Sequence, residues 1–466
     1  MSTPKSLKEK ILKGGISLSI RQLLVAGLSL VNVLVIARIL GPERYGIVTI
    51  VLGIFYFFTP TLKLGLQVYL VRKPDFVKKD SEQIVAFYNT VGVAIIALLW
   101  SAAPLVGWWT GKSEVTQGLQ VVLPALWLDQ VSRISIAMLE KELRFAQVGV
   151  IEALAQIANY LLSVILVLMG WGFWGPIVGT VTRYIVQALL ASFFYPITWR
   201  WGWQWQTLKP ALSYGLSYSS SDWLLNLKNL RVPLLVSRLA GVEAAGLISI
   251  AIRLADQLAI LRMVVRRMSI SVMAKFVNDP KKTRNAITQG MAYQALLIGP
   301  VCAAFSCISA WIIPIMFSDK WLISAQIFPF IALGAIVGGI FELHASTLYA
   351  TGHNYEVARR NAWFVGLLWL ATLVLMPFIG LWGYGLAEVI ALPSYYWIHL
   401  SIEKYFGSPN YGNVFWLTLA STIPLFGGAF LPPVLGIGLL IISYGLLLFN
   451  SNIRKMLIMA SKLKFS

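Results

Sequence analysis

Long apolar stretches, each close to the length of a membrane-spanning helix, follow one another along the whole chain. A helix that crosses a bilayer needs about 20 mainly apolar residues, and we identify fourteen stretches of this kind. They are residues 14–37, 46–71, 84–109, 116–139, 148–169, 173–196, 212–236, 245–266, 288–316, 325–350, 361–379, 383–403, 413–430 and 433–450. The connections between them are short. This pattern predicts an all-α polytopic membrane protein with about 14 transmembrane helices and no soluble domain.

A motif of the form R-x-x-G-x-E-x-x-G occurs twice, after the first and after the seventh predicted helix. The copies are residues 38–46 and 238–246, and the same offset of 200 residues gives twelve identities between residues 11–58 and 211–258. Because six helices separate the copies, both halves enter the membrane in the same direction. The repeat therefore predicts two parallel six-helix lobes, related by a pseudo-twofold axis along the membrane normal, with a site between them.

The predicted domains follow this repeat. They are an N-lobe over residues 1–196, a cytoplasmic linker over 197–211, a C-lobe over 212–405, and two further helices with a basic tail over 406–466. A second echo supports the halves, since a G-x-W-G turn at Gly172 precedes the sixth helix and another at Gly380 precedes the twelfth.

Lysine and arginine lie unevenly on the two sides of the predicted helices. Of 38 in the chain, 25 lie in the tails and the even-to-odd connections, five in the odd-to-even connections and eight within helices. By the positive-inside rule, both termini are predicted to lie in the cytoplasm. The membrane is predicted to be the plasma (inner) membrane. Composition agrees, because only 12% of residues are charged, against about 25% in soluble domains.

Charged side chains within the predicted helices are the candidates for function, because a charge in a bilayer is costly and usually faces a cavity or a partner. The repeat-related helices 1, 2, 7 and 8 carry five basic residues of this kind, namely Arg21, Lys63, Lys228, Arg231 and Arg253. We expect them to line a cationic cavity that binds an anionic group such as phosphate or pyrophosphate.

Acidic residues within the helices admit different interpretations. Asp222 and Asp256 are candidates for protonation and ion coupling. Asp129 and Arg133 are four residues apart on one helix, so we expect them to pair locally.

The two motif copies are predicted to be tight turns on the outer side of the membrane, with glycine for the bend. Arg38 and Glu43 in the first turn, and Arg238 and Glu243 in the second, could pair across their turns. We expect a structural or gating role for these four residues.

The sequence carries no motif typical of catalysis or cofactor binding. The sequence contains no Walker A loop, no H-E-x-x-H, no G-x-S-x-G and no C-x-x-C, and its two cysteines, Cys302 and Cys307, do not indicate a metal cluster. We therefore predict a protein that is not an enzyme, needs no metal or cofactor, and does not bind nucleic acid.

The first motif copy and its surroundings also carry a family resemblance. Residues Val35–Gly46 closely resemble the hallmark after the first helix of the polysaccharide transporter family, the Wzx-type O-antigen and exopolysaccharide flippases of the multidrug/oligosaccharidyl-lipid/polysaccharide superfamily. Residues Glu140–Phe145 and the G-x-W-G turns are similar to further family motifs.

This resemblance implies a V-shaped pair of six-helix bundles with two extra helices. It implies that the protein moves a polyprenyl-pyrophosphate-linked oligosaccharide to the outer leaflet by alternating access, among membrane lipids and alongside polysaccharide assembly proteins. Family members bind the pyrophosphate with arginines of helices 1, 2 and 8, and Arg21, Lys63 and Arg253 occupy the comparable helices. Lysine stands in place of arginine at residue 63.

Alternative functions remain open at this point. A drug/cation antiporter of the same superfamily would need an anionic cavity, whereas basic residues outnumber acidic ones within the predicted helices. A membrane-embedded polysaccharide polymerase or ligase would need a large outer loop, and the outer connections are short. A lipid II flippase is a third alternative.

Overall fold

A computed structural model describes the backbone of residues 4–72, 78–260, 279–454 and 456. It describes side chains from Gly27 onwards within these ranges, apart from residues 72, 78–79, 217–218 and 220–222. These described residues are almost entirely helical and contain no β-strand. The predicted all-α class is confirmed.

The helices fall into two series along the chain. The first series is α1 (Pro4–Thr61), α2 (Leu66–Arg72), α3 (Lys78–Phe87), α4 (Val93–Thr110), α5 (Ser113–Val122), α6 (Ala125–Lys141), α7 (Phe145–Leu168), α8 (Trp174–Phe194), α9 (Trp205–Asn226), α10 (Ser237–Leu239) and α11 (Gly241–Leu258). The second series is α12 (Pro280–Met316), α13 (Leu322–Ile340), α14 (Glu342–Ala350), α15 (Asn354–Ile379), α16 (Leu381–Ile390), α17 (Tyr395–Phe406), α18 (Gly412–Phe430) and α19 (Pro433–Leu447).

Nine helical segments within the described ranges are long and apolar enough to cross a membrane. One of them, Gly27–Val71, contains the second predicted membrane helix and part of the first, because α1 continues from the first into the second with a break at Gly41, where φ is 70°. The chain is therefore a multi-pass membrane protein. The number of 14 membrane helices stays a prediction that is consistent with this pattern.

The described residues form two compact units, Met1–Gly246 and Leu247–Ser466. In the first unit α7 packs along α8, where a side chain at Gly179 would lie 2.8 Å from the carbonyl oxygen of Asn159. In the second unit α12 packs along α18, where Gly428 faces the backbone of Cys307. Small residues let membrane helices approach closely. Close packing matters because burial of apolar surface gives no driving force between helices in lipid. The domain boundaries at residues 196, 211 and 405 stay predictions.

Several interruptions break the helices of the first unit, and three of them lie within the second, third and seventh predicted membrane helices. A turn at Leu62–Gly65 separates α1 from α2, and Leu64 and Gly65 both have positive φ, 51° and 65°. A π-helical segment, Tyr88–Gly92, separates α3 from α4. The seventh predicted membrane helix is itself interrupted after α9, by a 3₁₀ turn over Leu227–Leu230 and a π-helical segment over Arg231–Val236. Irregular backbone at membrane depth is tolerated only where it is buried in protein or lines a cavity. We therefore expect each of these interruptions to be buried in protein or to line a cavity.

Candidate functional site

A buried group of charged side chains lies at the first interruption. The ammonium of Lys63 is 2.9 Å from one carboxylate oxygen of Asp129, and Nε of Arg133 is 3.2 Å from the other. The Asp129 side chain is 1% exposed, whereas the side chains of Lys63 and Arg133 are 13% and 26% exposed. The carboxylate is therefore sealed inside the protein, while both cations keep an accessible side.

Neighbouring helices fix this group in place. Gln187 on α8 donates through Nε2 to Asp129 at 3.2 Å and to the hydroxyl of Ser132 at 2.7 Å. Tyr88, in the first π-helical segment, donates its hydroxyl to the carbonyl oxygen of Lys63 at 2.7 Å. We call Lys63, Asp129, Ser132, Arg133 and Gln187 the Asp129 cluster. Lys63 comes from the first interruption and Tyr88 of the second binds its backbone carbonyl, so both interruptions contribute to the geometry of the cluster.

A third cation lies close to the Asp129 cluster. Arg183, also on α8, has its guanidinium carbon 5.4 Å from the centre of the Tyr184 ring, and its charge acts on both Lys63 and Asp129. Glu152 approaches Arg133 only to 3.9 Å and is 46% exposed. Lys63, Arg133 and Arg183 therefore lie around one fully buried carboxylate, and their own partly exposed cationic groups suit an anionic ligand.

The residues predicted for the cationic cavity are placed differently from one another. Lys63 belongs to the Asp129 cluster, and Arg231 is 1% exposed in the second π-helical segment. Lys228 is exposed in the 3₁₀ turn before it, and in the second unit Arg253 and Asp256 are exposed on α11. The side chains of Arg21 and Asp222 lie outside the described residues. The role of all these residues in binding or coupling stays a prediction.

The sequence predicts one contact of the Asp129 cluster, that between Asp129 and Arg133, and misses the contacts of Lys63 and Gln187. The expected pairing of Asp129 with Arg133 is confirmed at 3.2 Å. The approach of Lys63 and Gln187 to the same carboxylate was not anticipated. An aspartate in an apolar stretch signals that it needs a partner, but no spacing rule connects it with residues 66 positions earlier and 58 positions later.

The two motif copies contact each other reciprocally within the first unit. Gly41 and Gly241 have φ of 70° and 85°, which confirms that glycine forms the bend of each turn. A side chain at Gly46 would overlap the carbonyl group of Val242, and one at Gly246 would overlap that of Pro42. The second glycine of each copy therefore makes room for the backbone of the other copy. We call residues 41–46 and 241–246 the motif pair.

Charged residues of the turns make contacts outside their own turns. Glu43 forms an ion pair of 2.7 Å with Lys112, which precedes α5. The guanidinium of Arg238 lies over the Trp109 ring, 5.3 Å from its centre, and Trp109 donates Nε1–H to the carbonyl of Leu234 at 2.7 Å. Glu43 and Arg238 thus contact the ends of neighbouring helices, and the pairing of arginine with glutamate inside each turn stays a prediction. Arg38 and Glu243 are exposed, and a gating role for the turns stays a prediction.

Two solved structures of transport proteins share this fold. The lipid II flippase MurJ in an inward closed conformation has a TM-score of 0.74, with 16% sequence identity, 95% of this chain covered and 100% of that one. A multidrug resistance MATE family transporter in an inward-facing conformation has a TM-score of 0.65, with 15% identity, 82% of this chain covered and 94% of that one. The chain is therefore a polytopic membrane protein with the fold shared by these two transport proteins.

Sequence comparison shows the family. A model described as polysaccharide biosynthesis protein matches residues 35–326, and the chain belongs to that family. The chain is 22% identical over 341 residues to the lipopolysaccharide biosynthesis protein WzxC of Escherichia coli, which covers 72% of this chain and 68% of that protein. It is 22% identical to the succinoglycan biosynthesis transport protein ExoT of Rhizobium meliloti, covering 67% and 63%, and 20% identical to the teichuronic acid biosynthesis protein TuaB of Bacillus subtilis, covering 62% and 61%.

Proposed function

We propose that this protein is a flippase that translocates a polyprenyl-pyrophosphate-linked oligosaccharide across the plasma (inner) membrane by alternating access. Family membership supports a role in polysaccharide biosynthesis, and one relative is named a transport protein of such a pathway. The shared fold of a lipid II flippase supports a lipid-linked substrate. These relatives also favour a transporter over an enzyme.

The observation that carries the proposal is the group of partly exposed cations around the fully buried carboxylate of the Asp129 cluster. Two cations contact one sealed carboxylate there, and Arg183 adds a third positive charge. A buried charge without a partner costs several kcal/mol, roughly the penalty that makes such groups rare inside membranes. Lys63 and Arg133 carry this cost while keeping an exposed fraction, so we expect them to serve a ligand of opposite charge, and the pyrophosphate of a lipid-linked sugar is such a ligand.

The finer parts of this proposal extend the same chemistry. Arg21, Lys228, Arg231 and Arg253 would contribute further positive charge along the path of the head group. Asp222 and Asp256 would be the groups whose protonation couples transport to an ion gradient. Both termini would lie in the cytoplasm, where assembly proteins of the polysaccharide pathway would meet the flippase.

One observation favours a second candidate function. The MATE likeness fits a drug/cation antiporter. Such a protein needs buried acidic residues for its cationic substrates, whereas the one fully buried carboxylate of the Asp129 cluster is already contacted by two cations. The flippase is therefore the better supported function.

The test is replacement of Lys63 in the cell that normally makes the protein. In a strain whose chromosomal gene is deleted, Lys63→Met should fail to restore surface polysaccharide, and the lipid-linked precursor should accumulate in the inner leaflet. Lys282→Met is the matched control, since its ion pair with Asp279 is exposed and worth at most about 1 kcal/mol.

Two results would contradict the proposal. One is a deletion strain that still presents its lipid-linked precursor in the outer leaflet. The other is a deletion strain with normal surface polysaccharide that has become sensitive to cationic drugs, which would favour the antiporter.

A further inference from the structure

We propose that Asp129 is a resident counter-ion for the substrate site, holding Lys63 and Arg133 until the pyrophosphate of the lipid-linked substrate takes over part of that contact. The inference rests on the proposed function and assigns Asp129 as a positioning residue. It sets how tightly the substrate is held and how readily it leaves.

The Asp129 carboxylate is buried among cations and a hydrogen-bond donor. A carboxylate that is 1% exposed is stable as an ion only when cations and hydrogen-bond donors surround it. Asp129 has such a set of partners, with Lys63 at one oxygen and Arg133 and Gln187 at the other. The same combination of an ammonium, a guanidinium and an amide would surround a bound phosphate group. Asp129 therefore occupies the position of an anionic ligand in the protein itself.

The two cations are more exposed than the carboxylate that they contact. Lys63 and Arg133 are 13% and 26% exposed, so an incoming anion can reach both cations although it cannot reach Asp129. The substrate therefore competes with Asp129 for the cations without displacing the carboxylate from its place. No bond is made or broken in this exchange, and no proton needs to move.

The backbone indicates which cation moves. Arg133 lies four residues from Asp129 on the same helix, so their contact is set by the helix itself. Lys63 lies in the turn Leu62–Gly65, outside both flanking helices, on a flexible four-carbon stem. Lys63 is therefore the group that can turn from Asp129 towards a ligand, while Arg133 keeps the carboxylate neutralised.

Removal of the competing charge should change affinity and turnover in opposite directions. Asp129→Asn keeps the size of the side chain and an oxygen that accepts from Gln187, but it releases both cations to the substrate. We expect the variant to bind polyprenyl pyrophosphate about tenfold more tightly, equivalent to about 1.4 kcal/mol, and to translocate the lipid-linked substrate more slowly. A merely structural role for Asp129 would weaken both properties together.

The experiment measures both properties on the purified full-length protein in lipid nanodiscs and proteoliposomes. Binding is measured with polyprenyl pyrophosphate, and translocation with the lipid-linked oligosaccharide. Glu142→Gln is the matched control, since this carboxylate directly follows α6, pairs with Arg144 outside the Asp129 cluster and is 44% exposed, and it should leave both properties close to wild type. In a Lys63→Met background Asp129→Asn should give a smaller gain in affinity, because the mobile cation is absent.

A second variant keeps the test decisive if Asp129→Asn does not fold. Gln187→Met removes one neutral donor from Asp129 and leaves every charge in place, so Asp129 should hold its cations more strongly. Substrate binding should then weaken while translocation is at least as fast as in the wild type.

The outcomes separate the two proposals. If the wild type binds polyprenyl pyrophosphate and Asp129→Asn binds it equally or more weakly, the role of Asp129 is overturned but the proposed function is not. When Asp129→Asn does not fold, a folded Gln187→Met variant with unchanged binding, or with binding and translocation weakened together, does the same. Failure of the wild type to bind polyprenyl pyrophosphate overturns the proposed function and the role of Asp129 with it.

Discussion

The motif pair permits a stability prediction with an internal control of opposite sign. In Gly46→Ala the new methyl group would lie 2.8 Å from the carbonyl carbon of Val242 and 2.9 Å from its Cγ1. Carbon atoms do not approach this closely, so the two backbones must separate. Such overpacking costs about 1–3 kcal/mol. It outweighs the gain of up to about 1 kcal/mol that alanine brings to a helix over glycine.

Two further variants complete the design. In Gly246→Ala the methyl group would lie 3.1 Å from both the carbonyl carbon of Pro42 and the amide nitrogen of Gly46, so a similar loss is expected. Gly366 on α15 has no atom within 4 Å of the position that a Cβ would occupy. Gly366→Ala should therefore gain the helix-propensity term of about 1 kcal/mol without a steric cost.

The assay is the apparent melting temperature of each purified variant, followed as the monodisperse fraction that survives heating. Gly46→Ala and Gly246→Ala should melt below the wild type, and Gly366→Ala at or above it. If Gly46→Ala is as stable as Gly366→Ala, the reciprocal contact of the motif pair is not present in the folded protein. Loss of export by a variant that remains folded would in addition support the gating role predicted for these turns.

Two further predictions concern the ends of helices. Trp109→Phe removes the donor to the Leu234 carbonyl and should cost about 0.5–1.5 kcal/mol, seen as a lower melting temperature than that of Trp108→Phe, whose native side chain is 73% exposed. Asp279 caps α12 by accepting the backbone N–H of Lys282, and this hydrogen bond lowers the pKa of Asp279. Because the folded-state pKa lies below the unfolded one, the cap stabilises at neutral pH and weakens as pH falls below about 4. Asp279→Ala should therefore melt lower than wild type at pH 7, and Asp279→Asn should lose less stability than wild type on acidification; equal pH profiles would contradict this.

The sequence determined those properties that depend on local energetics. A bilayer requires long apolar helices and disfavours charge, so the spacing of apolar stretches was enough to predict a polytopic all-α protein. The bends at Gly41 and Gly241 were also predictable, because a turn that needs positive φ favours glycine at that position. The resemblance carried by residues 35–46 led to the family that the comparison of residues 35–326 then showed.

Only the tertiary structure decided which side chains meet. The ion pair of Lys63 with Asp129 joins the turn between α1 and α2 to α6, and the contact of Gly46 with Val242 joins the two repeats. The sequence suggested a partner for Glu43 within its own turn, whereas the structure also shows a pair with Lys112, which no sequence spacing indicates. Hydrophobic length specifies that a helix crosses the membrane but not which helices become its neighbours or which way it is rotated. Contacts of this kind depend on the packing of whole helices, and that packing turned separate charged residues into one buried cluster.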